Sequence, residues 1–161
     1  MFSVRIDGDT KKLIRRLKNI SEVDRKGINA ALGQSMREST MERFKQGRGP
    51  DGKKWPQSIR VQQDGGSTLV RTARMRNSIH TKSDITGFAV GTNTIYAGTH
   101  QFGAPRTIRA KTSKGLRFKI NGHWVTKRQV KIVIPARPYL GMSEEDLAEV
   151  KHTVEDAYSK E

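Results

Sequence analysis

RFKQGRGPDGKKWPQS, Arg43 to Ser58, is where the chain changes character. Before it, apolar residues recur at helical spacing; after it come short alternating runs. Within it, Pro50-Asp51-Gly52 is a turn signal, and Pro56 disfavours helix at Trp55. Read outward from this loop, the order is strand, two helices, several strands, helix, an α+β pattern. The expected architecture is a small, mostly antiparallel β-sheet. Two N-terminal helices and one C-terminal helix flank it, and a basic hairpin projects from it.

On the upstream side, Phe2, Val4 and Ile6 alternate with polar residues and predict a short strand. Asp9 or Thr10 can cap a helix whose Leu13, Ile14, Leu17 and Ile20 form one stripe, with Lys11, Lys12, Arg15, Arg16 and Lys18 around it. Ser21 can cap a longer helix reaching about Lys45, with Ile28, Ala31, Leu32, Met36 and Phe44 as a weaker stripe. Gly27 and Gly33 count against that helix, because glycine weakens a helix interior.

On the downstream side, the loop continues through QQDGGS, Gln62 to Ser67. Thr72 to Asn77 predicts one or two helical turns, and Ser78–Ser83 with Phe88–Gly91 a hairpin. Leu116, Phe118 and Ile120 alternate with Arg117 and Lys119; Asn121-Gly122 is a type I′ turn signal, and Trp124 begins the return. Val130, Ile132 and Ile134 continue it until Pro135-Ala136-Arg137-Pro138 stops the strand. Ser143 with Asp146 is a capping box for a last helix, whose inner stripe is Leu147, Val150, Val154 and Ala157. With no repeat, low-complexity tract or linker, residues 1–161 read as one domain.

Charge limits the partners. The formal net charge is +15, which favours polyanions, acidic protein surfaces or a ring around a DNA channel. From Ile85 to Ser143 there is no Asp or Glu, while Arg106, Arg109, Lys111, Lys114, Arg117, Lys119, Lys127, Arg128, Lys131 and Arg137 fall there. The tail from Glu144 onward is acidic. Two ends of opposite sign are suited to different partners, or to each other between subunits. No apolar run reaches membrane-spanning length, so no membrane partner is expected. MFSVRIDGDT lacks a signal-peptide layout, and with no cysteine present a cytoplasmic origin is expected.

Catalytic parts are scarce. His80, His100, His123 and His152 include no pair at metal-ligand spacing, and cysteine is absent. Between Gly52 and Ser143 the only carboxylates are Asp64 and Asp84. No enzyme activity, metal or cofactor is expected; a metal-independent nuclease using a lone histidine and arginines is the weakest reading. Basic residues interleaved with Phe118 and Trp124 suit a nucleic-acid groove. Strand alternation instead turns Phe118 toward the core, and leaves both readings open for Trp124. In TIYAGTHQFG, Thr94 to Gly103, Tyr96 and His100 are four residues apart and would stack on one helical turn. Phe102 would anchor that turn to the sheet, Gly103 would end it, and His100 would be a hydrogen-bonded packing residue.

Four stretches in order carry a resemblance: RFKQGRGPDGKKWPQS (43–58), LVRTARMRNSI (69–79), VGTNTIYAGTHQFG (90–103) and IPARPYLGMSEED (134–146). Together they resemble the tailed-phage virion morphogenesis proteins, the tail-completion family with Mu-like members. One departure is that Thr72 is followed by Ala73 where the family has Thr-Gly, with Met75 at the apolar position. That bears on a glycine-dependent turn, not on the fold. The resemblance implies a virion protein of the head–tail junction or neck. Such proteins are similar to tail terminators: rings, commonly of six, that join or complete the tail and let DNA pass. The implied partners are other copies of the chain, neighbouring neck, connector or tail proteins, and DNA in the lumen. The alternative reading is a small basic nucleic-acid-binding protein.

On this reading the basic hairpin, about Arg106 to Lys131, projects as an assembly arm toward a subunit, a ring or DNA. Lys53 and Lys54 are a second candidate contact beside a buried Trp55. For Arg137, an ion pair with the acidic start of the last helix (about 143–160) and a contact with a neighbouring subunit are equally open.

Overall fold

The computed structural model describes residues 10–120 and 122–159. The expected strand at Phe2–Ile6 lies outside them. The helices are α1 (Thr10–Ser21), α2 (Arg25–Gln46), α3 (Ile59–Asp64), α4 (Arg74–Asn77), α5 (Ala97–Phe102) and α6 (Glu144–Ser159). The strands are β1 (His80–Ser83), β2 (Phe88–Gly91), β3 (Ala104–Arg109), β4 (Leu116–Ile120), β5 (His123–Lys127) and β6 (Gln129–Ile134). This is the α+β class, with every strand pair among the described residues antiparallel. The strands form three two-stranded ladders, β1–β2, β3–β6 and β4–β5.

Local chemistry explains the elements. Asp24, not Ser21, caps α2, its carboxylate accepting from the Gly27 amide at 2.9 Å. Ser21 bonds back to the Lys18 carbonyl at 2.7 Å and closes α1. The two glycines that weaken α2 locally have different surroundings. A Cβ at Gly27 would collide with the Asp24 carboxylate. Gly33 faces β1 and β2, where a Cβ would make ordinary contacts, 3.4 Å from Phe88 and 3.6 Å from Thr81. The helix ends at Gly47 in the left-handed region, φ +67°, whose amide donates to the Arg43 carbonyl. Inside the expected long loop, Ser58 caps the short α3.

The main core is where the four quoted stretches meet. Phe44, Trp55, Met75, Ile79, Ala97 and Tyr139 form one buried cluster. Phe44 packs edge-on to Trp55 at 5.4 Å and tilted against Tyr139 at 5.3 Å. Trp55 is buried as expected, and its indole N–H donates to the Pro138 carbonyl at 2.8 Å. The loop from Gly47 is thereby tied to the proline-flanked exit of β6.

The capping box of α6 is present: the Asp146 carboxylate accepts from the Ser143 amide and hydroxyl, both at 2.7 Å. The stripe expected to face inward is divided. Val150 and Ala157 are half-buried, while Leu147 and Val154 are exposed. The reason is Asp146, whose buried ion pair with Arg43 of α2 sets the rotation of α6. Arg43 is held further by the carbonyls of Gly141 (2.6 Å) and Tyr139 (3.2 Å) and by the Ser39 hydroxyl (3.2 Å). A buried guanidinium is tolerated because its donors are met.

Candidate functional site

The corner at Thr94–Gly103 forms α5. Tyr96 and His100 stack edge-to-face, ring centroids 6.0 Å apart, as their spacing predicts. Two expectations fail here. Phe102 is 80 % exposed rather than an anchor. Ala97 takes the inward position, and five residues on, a helix has turned about 140° away from it. The anchor is Gln101, whose amide donates to the Leu140 carbonyl and accepts from the amides of Tyr139 (3.0 Å) and Leu140 (3.1 Å). His100 is held through its backbone, its carbonyl accepting from the Arg137 amide at 2.7 Å. Its ring Nδ1 is buried with no hydrogen-bond partner, contrary to the hydrogen-bonded role expected of it. Gly103 ends the helix at φ +71°, where a Cβ would lie 2.8 Å from the Ala136 nitrogen.

Arg137 is buried and donates from Nε to the Pro56 carbonyl at 2.7 Å. It makes no ion pair with the start of α6, because the buried carboxylate there, Asp146, is on Arg43. Burial pushes the Arg137 pKa down. It also lowers that of His100, and the Arg137 charge adds to the effect. Both side chains line a cleft of about 330 Å³ with Arg60, Arg71, Arg74 and Tyr96; among the described residues no Asp or Glu lines it. Ala73, at the position that departs from the resemblance, has φ +54° just before α4. The left-handed turn is therefore kept with alanine in place of glycine. The arginines of Arg71-Thr72-Ala73-Arg74 were missed from sequence as a group. Their density was the available signal, but only the fold brings Arg137 and His100 to them.

The basic arm is a continuous antiparallel extension. β3 pairs with β6 from Ala104 opposite Ile134 to Arg109 opposite Gln129, and the Ala110 amide bonds the Arg128 carbonyl at 2.8 Å. β4 and β5 then pair from Leu116 opposite Lys127 to Ile120 opposite His123. Gly122 has φ +82°; the type I′ assignment also needs Asn121, which lies outside the described residues. Arg106, Arg109, Lys111, Lys114, Arg117, Lys119, Lys127 and Arg128 are all exposed. Phe118, half-buried, lies opposite Val125 within the arm and does not reach the main core. Trp124 is 59 % exposed, with the Arg117 guanidinium 4.6 Å and the Lys119 ammonium 5.2 Å from its ring centroid. At the other candidate contact, Lys53 and Lys54 are exposed, and Lys53 lies 3.4 Å from the Asp51 carboxylate. Among the described residues no helix is long and apolar enough to cross a membrane.

Compared with known proteins, residues 8–159 match the profile of the phage virion morphogenesis family. No curated protein and no solved structure matches the chain.

Proposed function

The chain belongs to the phage virion morphogenesis family, which gives it a structural or assembly role in the phage virion, and we propose that it acts as a ring subunit of the head–tail junction. The ring joins or completes the tail, and DNA passes through it. Its partners are other copies of the chain and the adjoining neck, connector or tail proteins. Its action is assembly, without catalysis or a cofactor.

The observation that carries this reading is a pair of complementary helices left uncovered in one chain. α1 has five basic residues, Lys11, Lys12, Arg15, Arg16 and Lys18, and no acid. Its apolar stripe is exposed: Leu13 54 %, Ile14 64 %, Leu17 57 % and Ile20 43 %. α6 has six acids against Lys151, and Leu147, Val154 and Tyr158 are exposed on it. Covering such side chains from half exposure contributes about 1 kcal/mol each. Opposite charges fix which helix meets which. A contact between two different surfaces of one chain is heterologous, and heterologous contacts form a ring when the rotation between subunits closes. In this arrangement the acid-free arm reaches the next subunit, the next ring or the DNA, and Lys53 and Lys54 supply a second contact.

Light scattering of the whole chain across concentration and salt tests the reading. Leu13→Glu with Leu17→Glu should leave a folded monomer where the natural chain assembles alone or with tail and connector components. A natural chain that stays monomeric in every such mixture, yet binds DNA tightly with a steep salt slope, would replace this reading with the nucleic-acid-binding one. Trp124 and its flanking cations favour that second reading.

A further inference from the structure

The cleft between α4 and α5 is built for a charge the chain does not supply. Arg137, only 5 % exposed, is one of its lining residues. One of its nitrogens is used on the Pro56 carbonyl, and no carboxylate pairs with it among the described residues. A buried cation without a counter-anion is disfavoured by several kcal/mol. His100 lines the same cleft, and its ring Nδ1 is buried without a hydrogen-bond partner among the described residues. Arg71 and Arg74, which also line it, are exposed and outside every ion pair among the described residues. Arg60 is oriented by the carbonyls of Gly65 (3.3 Å) and Ser67 (2.8 Å).

We propose that this cleft binds a phosphate monoester dianion. Guanidinium groups meet phosphate oxygens through paired, charge-assisted hydrogen bonds, and several of them around one small space match a dianion better than a single carboxylate. The hydroxyls of Thr72 and Tyr96 also line the cleft and can donate to the remaining oxygen. The burial of Arg137 separates a monoester from a diester. Because Arg137 is 5 % exposed, a phosphate that reaches its guanidinium is closely surrounded, which one substituent permits more readily than the two of a backbone phosphodiester. Free phosphate, a nucleotide and the 5′-phosphate of a DNA end share this chemistry.

The test follows the His100 ring proton by NMR in the full chain at constant ionic strength, assigned with His100→Gln. The probes are inorganic phosphate, a 5′-phosphorylated oligonucleotide, the same oligonucleotide with a 5′-hydroxyl, and a glutamate-rich peptide. Inorganic phosphate and the 5′-phosphorylated strand should shift the signal, and the 5′-hydroxyl strand should not. A 5′-phosphorylated strand binding more tightly than inorganic phosphate identifies a DNA end; the reverse order identifies the free anion. Arg71→Ala with Arg74→Ala should weaken phosphate at least about tenfold, as expected for losing one charge-assisted hydrogen bond. Should that variant fail to fold, Arg74→Lys is measured in its place, with loss of the paired contact expected. A signal that ignores phosphate, moves equally for the two strands, or moves only for the peptide overturns the proposal.

Discussion

Asp146→Asn removes one charge from the buried pair that joins α2 to α6 while keeping the side-chain shape. Arg43 would remain buried, bonded to the carbonyls of Tyr139 and Gly141 but without its counter-ion. Removing one partner of a buried pair destabilises by about 3–5 kcal/mol. Asparagine can still accept from the Ser143 amide, so the loss should fall near the lower end, about 3 kcal/mol. Small domains are stable by only about 5–15 kcal/mol, so this is a large share. With a urea slope of about 2 kcal/mol per molar, the midpoint should fall by about 1.5 M at pH 7. The effect has a pH signature. Burial by itself would raise the Asp146 pKa, but hydrogen bonds from Ser39 and Ser143 and the Arg43 charge outweigh it and hold the pKa below the ordinary aspartate value. A folded-state pKa below the unfolded one contributes stability above the unfolded value, and that stability is lost as pH falls through the folded value. The natural chain and Asp146→Asn should therefore converge as pH drops below about 4. A loss under about 1 kcal/mol at pH 7, or a gap that stays constant into acid, would refute the role given to this pair.

Ala73→Gly should raise stability by about 1 kcal/mol in the same urea assay, because alanine at φ +54° is in a region costly for residues with a Cβ. Gly103→Ala should do the reverse and lower the thermal midpoint strongly. It adds a Cβ 2.8 Å from the Ala136 nitrogen and 2.9 Å from the Ile134 oxygen, both backbone atoms. Trp55→Phe keeps an aromatic ring but strands the Pro138 carbonyl, with an expected loss of about 1–3 kcal/mol by denaturant unfolding. Deleting Lys111 to Arg128 should leave the main core folded, since that cluster includes no arm residue, while abolishing infectious particles in complementation. Normal particle yield from the deletion would end the assembly-arm reading.

Much of the fold was legible because its signals are local. Period-3.6 stripes marked α1 and α2, period-2 alternation marked β4 and β6, and the Ser143–Asp146 box marked the start of α6. The four quoted stretches carried the family. Charge asymmetry likewise needs no coordinates: an acid-free span from Ile85 to Ser143 followed by an acidic tail is a property of the chain. What sequence could not decide were choices settled by contacts far apart along it. Whether Arg43 or Arg137 takes the carboxylate of α6 depends on which helix packs beside it. The answer, Arg43 across 103 residues, then turns Leu147 and Val154 outward. Phe102 was expected to be the anchor and Gln101 turned out to be it, because which side of a short helix faces inward is set by its neighbours. The His100–Arg137 wall exists only because the corner at Thr94–Gly103 folds against the exit of β6. Periodicity and composition are read within a few residues; the place of a buried charge is fixed by whatever tertiary packing brings to meet it.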